Sequence, residues 1–265
     1  LTGRLIPIVA DAFVDPAFGT GCVKVTPAHD PNDHAAGLRL HLDSITVIGF
    51  DAKMTEAAGS YQGLDRFACR KKIIEDLDEA GCLVKIEDHT SQVAISERSG
   101  AVLEPLVSDQ WFMKMNEGAQ KALDVVRQGK IKFTPDHHVA VWEHWLTNIQ
   151  DWCISRQLVW GHRIPAWYCQ DCGHINVALE VPTACSQCSS GKLMQDPDTL
   201  DTWFSSALWP FSILGWPETT SDLKHYYPND VMCTSYDIIF FWVARMVMSG
   251  LTWTDNIPFK EVYFN

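Results

Sequence analysis

Two short cysteine pairs, Cys169-Gln-Asp-Cys172 and Cys185-Ser-Gln-Cys188, stand twelve residues apart and constrain the surrounding fold more than any other feature of the chain. A CxxC segment closes a tight turn that offers two thiolates to one edge of a tetrahedron, so two such pairs match the ligand set of a zinc ribbon. The residues between them include too few apolar side chains to fold unaided, and a bound metal would hold them together. Four free thiols in accidental spacing, or two disulfides, are the competing accounts of the pattern. The other five cysteines, Cys22, Cys69, Cys82, Cys153 and Cys233, are scattered, and an odd total of nine argues for a reducing compartment, hence a cytoplasmic location.

At 265 residues with 46% hydrophobic side chains, the chain suits one large or two ordinary domains with real cores. Its most apolar run, Ile238 to Leu251, contains Arg245 and falls short of the roughly 20 residues that a bilayer crossing needs. It therefore predicts a buried helix, with no membrane partner. A net charge of −12 has the wrong sign for gripping nucleic acid through bulk attraction to phosphate. Any such contact must use local patches, such as one around Arg70, Lys71 and Lys72, although a solvated helix face is the better account of those three.

In chain order, Leu1 to Val14 predicts one or two short strands broken by Pro7, and Gly19-Thr-Gly followed by Val23 and Val25 predicts a turn into a strand. Pro27-Ala-His-Asp-Pro-Asn-Asp33 is a loop leading to a helix that starts near Asp33. The spacing of His29, Asp30, Asp33 and His34 could hold a metal, and acids capping a helix start explain the same residues. Ile45 to Phe50 predicts a strand. Asp65 can cap a helix that carries Phe67, Ile74 and Leu77 and stops at Gly81. Gly118 to Gly129 predicts another amphipathic helix.

The segments DWCISRQLVWGHRIPAWYC and LDTWFSSALWP, on either side of the cysteine pairs, closely resemble those flanking the zinc-bearing insert of the valyl-tRNA synthetases, class I aminoacyl-tRNA synthetases. The isoleucine and leucine relatives share part of that frame, while GHRIPAWYC and the HDPND loop favour the valine type. The resemblance implies that Cys169, Cys172, Cys185 and Cys188 bind a structural zinc. It also implies that AFGTGCVKVTPAHDPNDHAAG is the core of an editing domain that hydrolyses misacylated tRNA. In that reading Phe18 and Thr26 line the editing pocket, Lys24 approaches the tRNA terminus, and Asp30 and Asp33 face the amino acid, with Asp33 binding its ammonium group. An aminoacyl ester is already activated, so a placed water, charge complementarity and oxyanion donors are sufficient chemistry. The need for such a site is that a hydrophobic valine pocket rejects threonine by only about a hundredfold, a figure established for this family and not worked out from these residues.

The same resemblance makes Trp160 and Trp203 walls of the valine pocket, with Asp201 orienting the substrate; flat rings bury a small aliphatic side chain with little rotamer loss. Asp237, in DVMCTSYDIIFFWVARMVMSG, is implied as an ATP contact, although Ser235 stands where the family has a glycine, and a side chain there crowds the nucleotide. The ATP-binding signatures of class I enzymes and a threonine-rich editing strand do not occur, so the chain is expected to be inactive in aminoacylation by itself. The fold expected is α/β: residues 1–95 as the C-terminal part of a β-rich editing domain, 96–140 as a connection, and 141–265 as the second half of a Rossmann-like domain with its zinc ribbon at about 166–195. The implied cofactors are zinc, ATP and Mg2+. The implied partners are valine, ATP and valine tRNA, and the expected state is monomeric. A stand-alone editing hydrolase, an inactive zinc-ribbon module and an isoleucyl-type enzyme are the alternatives.

Overall fold

A computed structural model describes residues 3–265, so the first two positions of the first expected strand lie outside the described residues. The chain divides into two compact units, Leu1–Asp109 and Gln110–Asn265.

The first unit is built on two helices. Helix α1 (Pro31–Leu40) opens with Asp30, whose carboxylate accepts hydrogen bonds from the backbone N–H of Asn32 at 2.8 Å and Asp33 at 3.0 Å. It thus starts two residues before the sequence-based expectation, because proline suits a first turn where no N–H is needed. Gly37 packs against Pro27 so closely that a Cβ would come within 2.8 Å of that ring. Helix α2 (Arg66–Glu79) is capped by Asp65 and followed by Gly81 at φ +65°, as its signals predict. A 3-10 turn (Glu56–Tyr61) contributes Ala58 and Tyr61 to a small core with Cys69. Lys72 pairs with Asp76 at 2.8 Å along the exposed face of α2, where Arg70 and Lys71 are also exposed.

Among the described residues, no strand forms over 3–14, at Val23 and Val25, or over Ile45 to Phe50, where strands were expected. Among the described residues of this unit only single bridges occur, Ile48 to Met54, Lys53 to Asp65 and Ile95 to Val102. β-branched residues favour extended backbone, but a strand needs a ladder partner, and the described residues of this unit provide none.

The second unit contains, in order, β1 (Phe112–Met113), α3 (Asn116–Arg127), β2 (Lys132–Thr134), α4 (His138–Thr147), β3 (Trp152–Cys153), β4 (Ser155–Arg156), β5 (Ala166–Cys169), β6 (Ile175–Val177), β7 (Leu193–Gln195), β8 (Thr199–Leu200), α5 (Thr202–Ser206), α6 (Trp209–Ser212), α7 (Ser221–Tyr226), β9 (Asn229–Thr234), a π-helical turn (Ile239–Ala244), α8 (Arg245–Trp253) and β10 (Phe259–Phe264). Its centre is a parallel sheet in the order β2-β10-β9, with Val262 opposite both Phe133 and Met232. β9, the helical segment and β10 form a βαβ unit, and such sheets must be covered by helices. Here α3, α4 and α8 bury Phe133, Trp142, Val247, Phe259 and Val262. The rings of Trp142 and Phe264 meet Phe133 edge-on at 5.1 and 5.3 Å. The expected helix over Gly118 to Gly129 is α3, and the apolar run after Ile238 is buried as the π turn and α8. No helix among the described residues is long and apolar enough to cross a membrane.

Candidate functional site

The four cysteines meet. A three-stranded antiparallel sheet, β6-β5-β7, carries one CxxC turn between β5 and β6, and the second lies in the loop before β7. All four sulfurs lie within 4.8 Å of one another, with Cys169 to Cys188 at 3.5 Å and Cys172 to Cys185 at 3.7 Å. A zinc ion with Zn–S bonds of about 2.3 Å has sulfurs about 3.8 Å apart, so the donor set fits a tetrahedral metal. For Cys185 burial opposes ionisation, yet the N–H groups of Cys188 and Gln187 and the Asn176 amide outweigh it and draw the thiol down to about 6. For Cys172 the His174 N–H favours the thiolate, but Cys188, burial and the other two sulfurs push the thiol up to about 12. Sulfurs this close cannot all ionise unaided, and a cation in their midst removes that conflict.

In the first unit the structure brings Lys24, Thr26 and Asp33 together. Asp33, 8% exposed on the first turn of α1, accepts through Oδ2 from the Thr26 N–H at 2.7 Å and the Thr26 hydroxyl at 3.2 Å. Lys24 Nζ donates to the Thr26 hydroxyl at 3.0 Å. Asp30 is next to this chain but spends its carboxylate on the helix cap. Phe18 is not gathered in; it is 82% exposed in the turn before. The metal alternative for His29, Asp30, Asp33 and His34 is not supported. Both ring nitrogens of His29 face backbone, with Nε2 accepting from Val47 and Ile48 and Nδ1 facing the Pro105 carbonyl at 3.0 Å. His34 Nδ1 faces the Pro27 carbonyl.

In the second unit Asp201 is buried, and its Oδ1 accepts from the Trp203 N–H at 2.7 Å, which starts α5. Arg156 Nη2 donates to Oδ2, and the same arginine donates through Nη1 to the carbonyls of Cys153 and Ser155. Trp203 is half-buried and stacks on Phe241 of the π turn, ring centroids 6.0 Å apart. Trp160 is not brought into a wall with it: the ring is 93% exposed in the turn at 159–161. Asp237 is exposed just beyond β9, where the carboxyl ends of parallel strands form a natural ligand crevice, and Ser235 donates to its Oδ1. His138, beyond β2, stacks on Tyr236 and packs on Phe264 at that same edge.

Several residues of the site escaped the sequence reading. Arg245, 7% exposed, lies with its guanidinium 3.7 Å from the centre of the Trp152 ring and Nη1 4.0 Å from Asp201 Oδ1. Burial draws this group down to about 10, with Asp201 opposing and Arg156 reinforcing the shift. The charged residue inside an apolar run was the available signal. Asp196, beyond β7, accepts from Trp111 Nε1 at 2.8 Å and the Tyr168 hydroxyl at 2.7 Å; burial opposes ionisation, but these bonds hold the carboxyl below its usual range.

The model of the class I tRNA synthetases for isoleucine, leucine, methionine and valine matches residues 54–265. The chain is 57% identical over 261 residues to a valine–tRNA ligase of Symbiobacterium thermophilum, covering 98% of this chain and 29% of the relative. It is 55% identical over 265 residues to a valine–tRNA ligase of Thermotoga maritima, covering 100% of this chain and 31% of the relative. It therefore spans less than a third of the length of these curated relatives. Among solved structures, methionyl-tRNA synthetase of Mycobacterium tuberculosis bound by methionyl-adenylate superposes with a TM-score of 0.43 at 15% identity, over 65% of this chain and 29% of that one.

Proposed function

Since the chain belongs to the class I tRNA synthetases for isoleucine, leucine, methionine and valine, we propose that it is part of a valine–tRNA ligase, which activates valine with ATP, transfers it to valine tRNA and hydrolyses threonine misattached to that tRNA. The observation that carries this reading is 57% identity to a valine–tRNA ligase across 98% of the chain. It favours the valine type over the isoleucyl alternative, and an enzyme part over a bare zinc-ribbon module.

The second unit supplies the activation half. ATP is held outside the carboxyl ends of β9 and β10, with Asp237 as the ribose contact. The hydroxyl that Ser235 turns onto Asp237 occupies one carboxylate oxygen and leaves the other for the nucleotide. Mg2+ bound with the nucleotide would supply neutralising charge at the phosphates. Trp203, fixed at the start of α5 by Asp201, forms one wall of the valine pocket, and Trp160 is carried over as a second wall on the family resemblance alone. Zinc held by Cys169, Cys172, Cys185 and Cys188 is structural, because no sulfur is left over for chemistry and the cluster braces β5.

The first unit supplies part of the editing half. Thr26 holds one oxygen of Asp33 with two hydrogen bonds, so the other oxygen is oriented to receive the ammonium of the misattached amino acid. Lys24 carries positive charge to the ester, and Asp30 keeps α1 in register beneath it. Amino-acid-dependent exchange of pyrophosphate into ATP by the complete enzyme tests the reading: valine should exceed isoleucine in kcat/KM by about a hundredfold. Equal exchange with isoleucine would overturn it.

A further inference from the structure

Arg245 opens α8 immediately after the π turn, and its guanidinium is surrounded by Trp152 at 3.7 Å, Phe240 at 5.7 Å and Phe241 at 5.8 Å. Among the described residues, its Nε and Nη1 find no hydrogen-bond partner. A buried guanidinium left half-satisfied is expensive, and an apolar residue of similar volume would fill this place more favourably. Cation–π contact with Trp152 offsets some of that cost without explaining the charge. The explanation lies in what the charge faces, namely Asp201 Oδ1 at 4.0 Å, the same oxygen that accepts the Trp203 N–H. Arg156 holds the other oxygen. The carboxylate that starts α5 is thus gripped by a cation from β4 and faced by another from α8. The π turn adds a second link, because Phe241 stacks on Trp203 and Trp242 Nε1 donates to the Ser206 carbonyl at the end of α5. A π turn inserts one residue into a helix and so rotates the next turn about the axis, and such turns are frequent at functional sites.

We propose that Arg245 is a positioning residue for the amino-acid pocket: acting through Asp201, it fixes the first turn of α5 and the plane of the Trp203 ring, and so sets which amino acid the pocket accepts. The proposal rests on the reading of Trp203 as a pocket wall. It also links the two substrates structurally, since the segment from Asp237 through the π turn to Arg245 joins the nucleotide edge to the wall of the pocket.

The test uses the complete valine-activating enzyme with Arg245→Met, Arg245→Lys and Trp203→Ala, read by amino-acid-dependent pyrophosphate exchange. Arg245→Met should raise the KM for valine about tenfold, leave the KM for ATP within about twofold, and reduce the preference for valine over threonine. Arg245→Lys, which keeps the charge but not the planar fork, should raise the valine KM about threefold. An unchanged valine KM and threonine preference in Arg245→Met, with only a lowered Tm, would reduce Arg245 to packing and overturn the proposal. Should Arg245→Met fail to fold, an unchanged valine KM in Arg245→Lys overturns it equally. Trp203→Ala separates the two readings: if it leaves the valine KM unchanged, the pocket assignment itself fails, whereas a raised KM there with unaffected Arg245 variants refutes the positioning role alone.

Discussion

Replacing Asn176 by alanine should weaken metal binding at the four cysteines without touching a ligand. Asn176 is buried on β6, and its amide reaches Cys185 Sγ at 3.7 Å and the Trp167 carbonyl at 3.4 Å. Its Oδ1 accepts from the Ser186 N–H at 2.8 Å and the Ser186 hydroxyl at 2.9 Å, so this one side chain ties the second CxxC turn to the sheet that carries the first. Removing it leaves those donors without their acceptor and takes away one of the groups favouring the Cys185 thiolate. Loss of such an outer partner typically costs about 10–100-fold in metal affinity, equivalent to roughly 1.4–2.8 kcal/mol. A competition titration of zinc between the protein and a chromophoric chelator measures this, with the unaltered chain expected to bind one zinc. Asn176→Ala should fall in the stated range, and its metal-free form should be cut by protease within residues 170–192 while the rest of the second unit stays protected. An affinity within twofold of the unaltered protein would mean instead that the two turns are held together by the metal alone and that Asn176 has no part in it.

Val262→Ala, at a 0% exposed position in the central strand between Phe133 and Met232, should lower stability by about 2–3 kcal/mol and Tm by roughly 5–10 °C. A loss below about 0.5 kcal/mol by chemical denaturation would contradict the placement of β10 at the centre. Asp196, held below the usual carboxyl range by Trp111 and Tyr168, contributes stability that is present above its unfolded pKa of about 3.9 and lost as pH falls through its lower folded value. Asp196→Asn should therefore flatten the acid limb of the stability curve below about pH 4, and an unchanged limb would show that other carboxylates govern it.

Local signals with their own chemistry were legible in the amino-acid sequence. The CxxC spacing, the Asp65 cap with Gly81 beyond, and the helix that ends just before Gly129 all rest on interactions between near neighbours. Pairing over long distance was not legible. Ile45 to Phe50 has strand composition, yet only Ile48 finds a partner, because extended preference does not create a neighbouring strand. The candidate residues show the same division. Thr26 and Asp33 are seven residues apart and meet across one turn of chain, whereas Trp160 and Trp203 depend on how a loop and a helix start are folded together, and Trp160 is left in solvent. Asp30 and His29 carry the residue types of a metal site, and their partners are backbone groups instead. Arg245 gave a signal without an address: a charge within an apolar run must have a partner, but only the structure identifies Asp201 and Trp152.

If the chain serves, as proposed, a valine–tRNA ligase that also corrects threonine errors, mischarging by the complete enzyme with Asp33→Ala is the decisive measurement. With threonine, ATP and valine tRNA supplied, the variant should accumulate threonyl-tRNA while the unaltered enzyme does not, and valine charging should proceed at the same rate in both. No accumulation in the variant would show that Asp33 and Thr26 do not form the editing pocket, and failure of both proteins to charge valine would contradict the assignment itself.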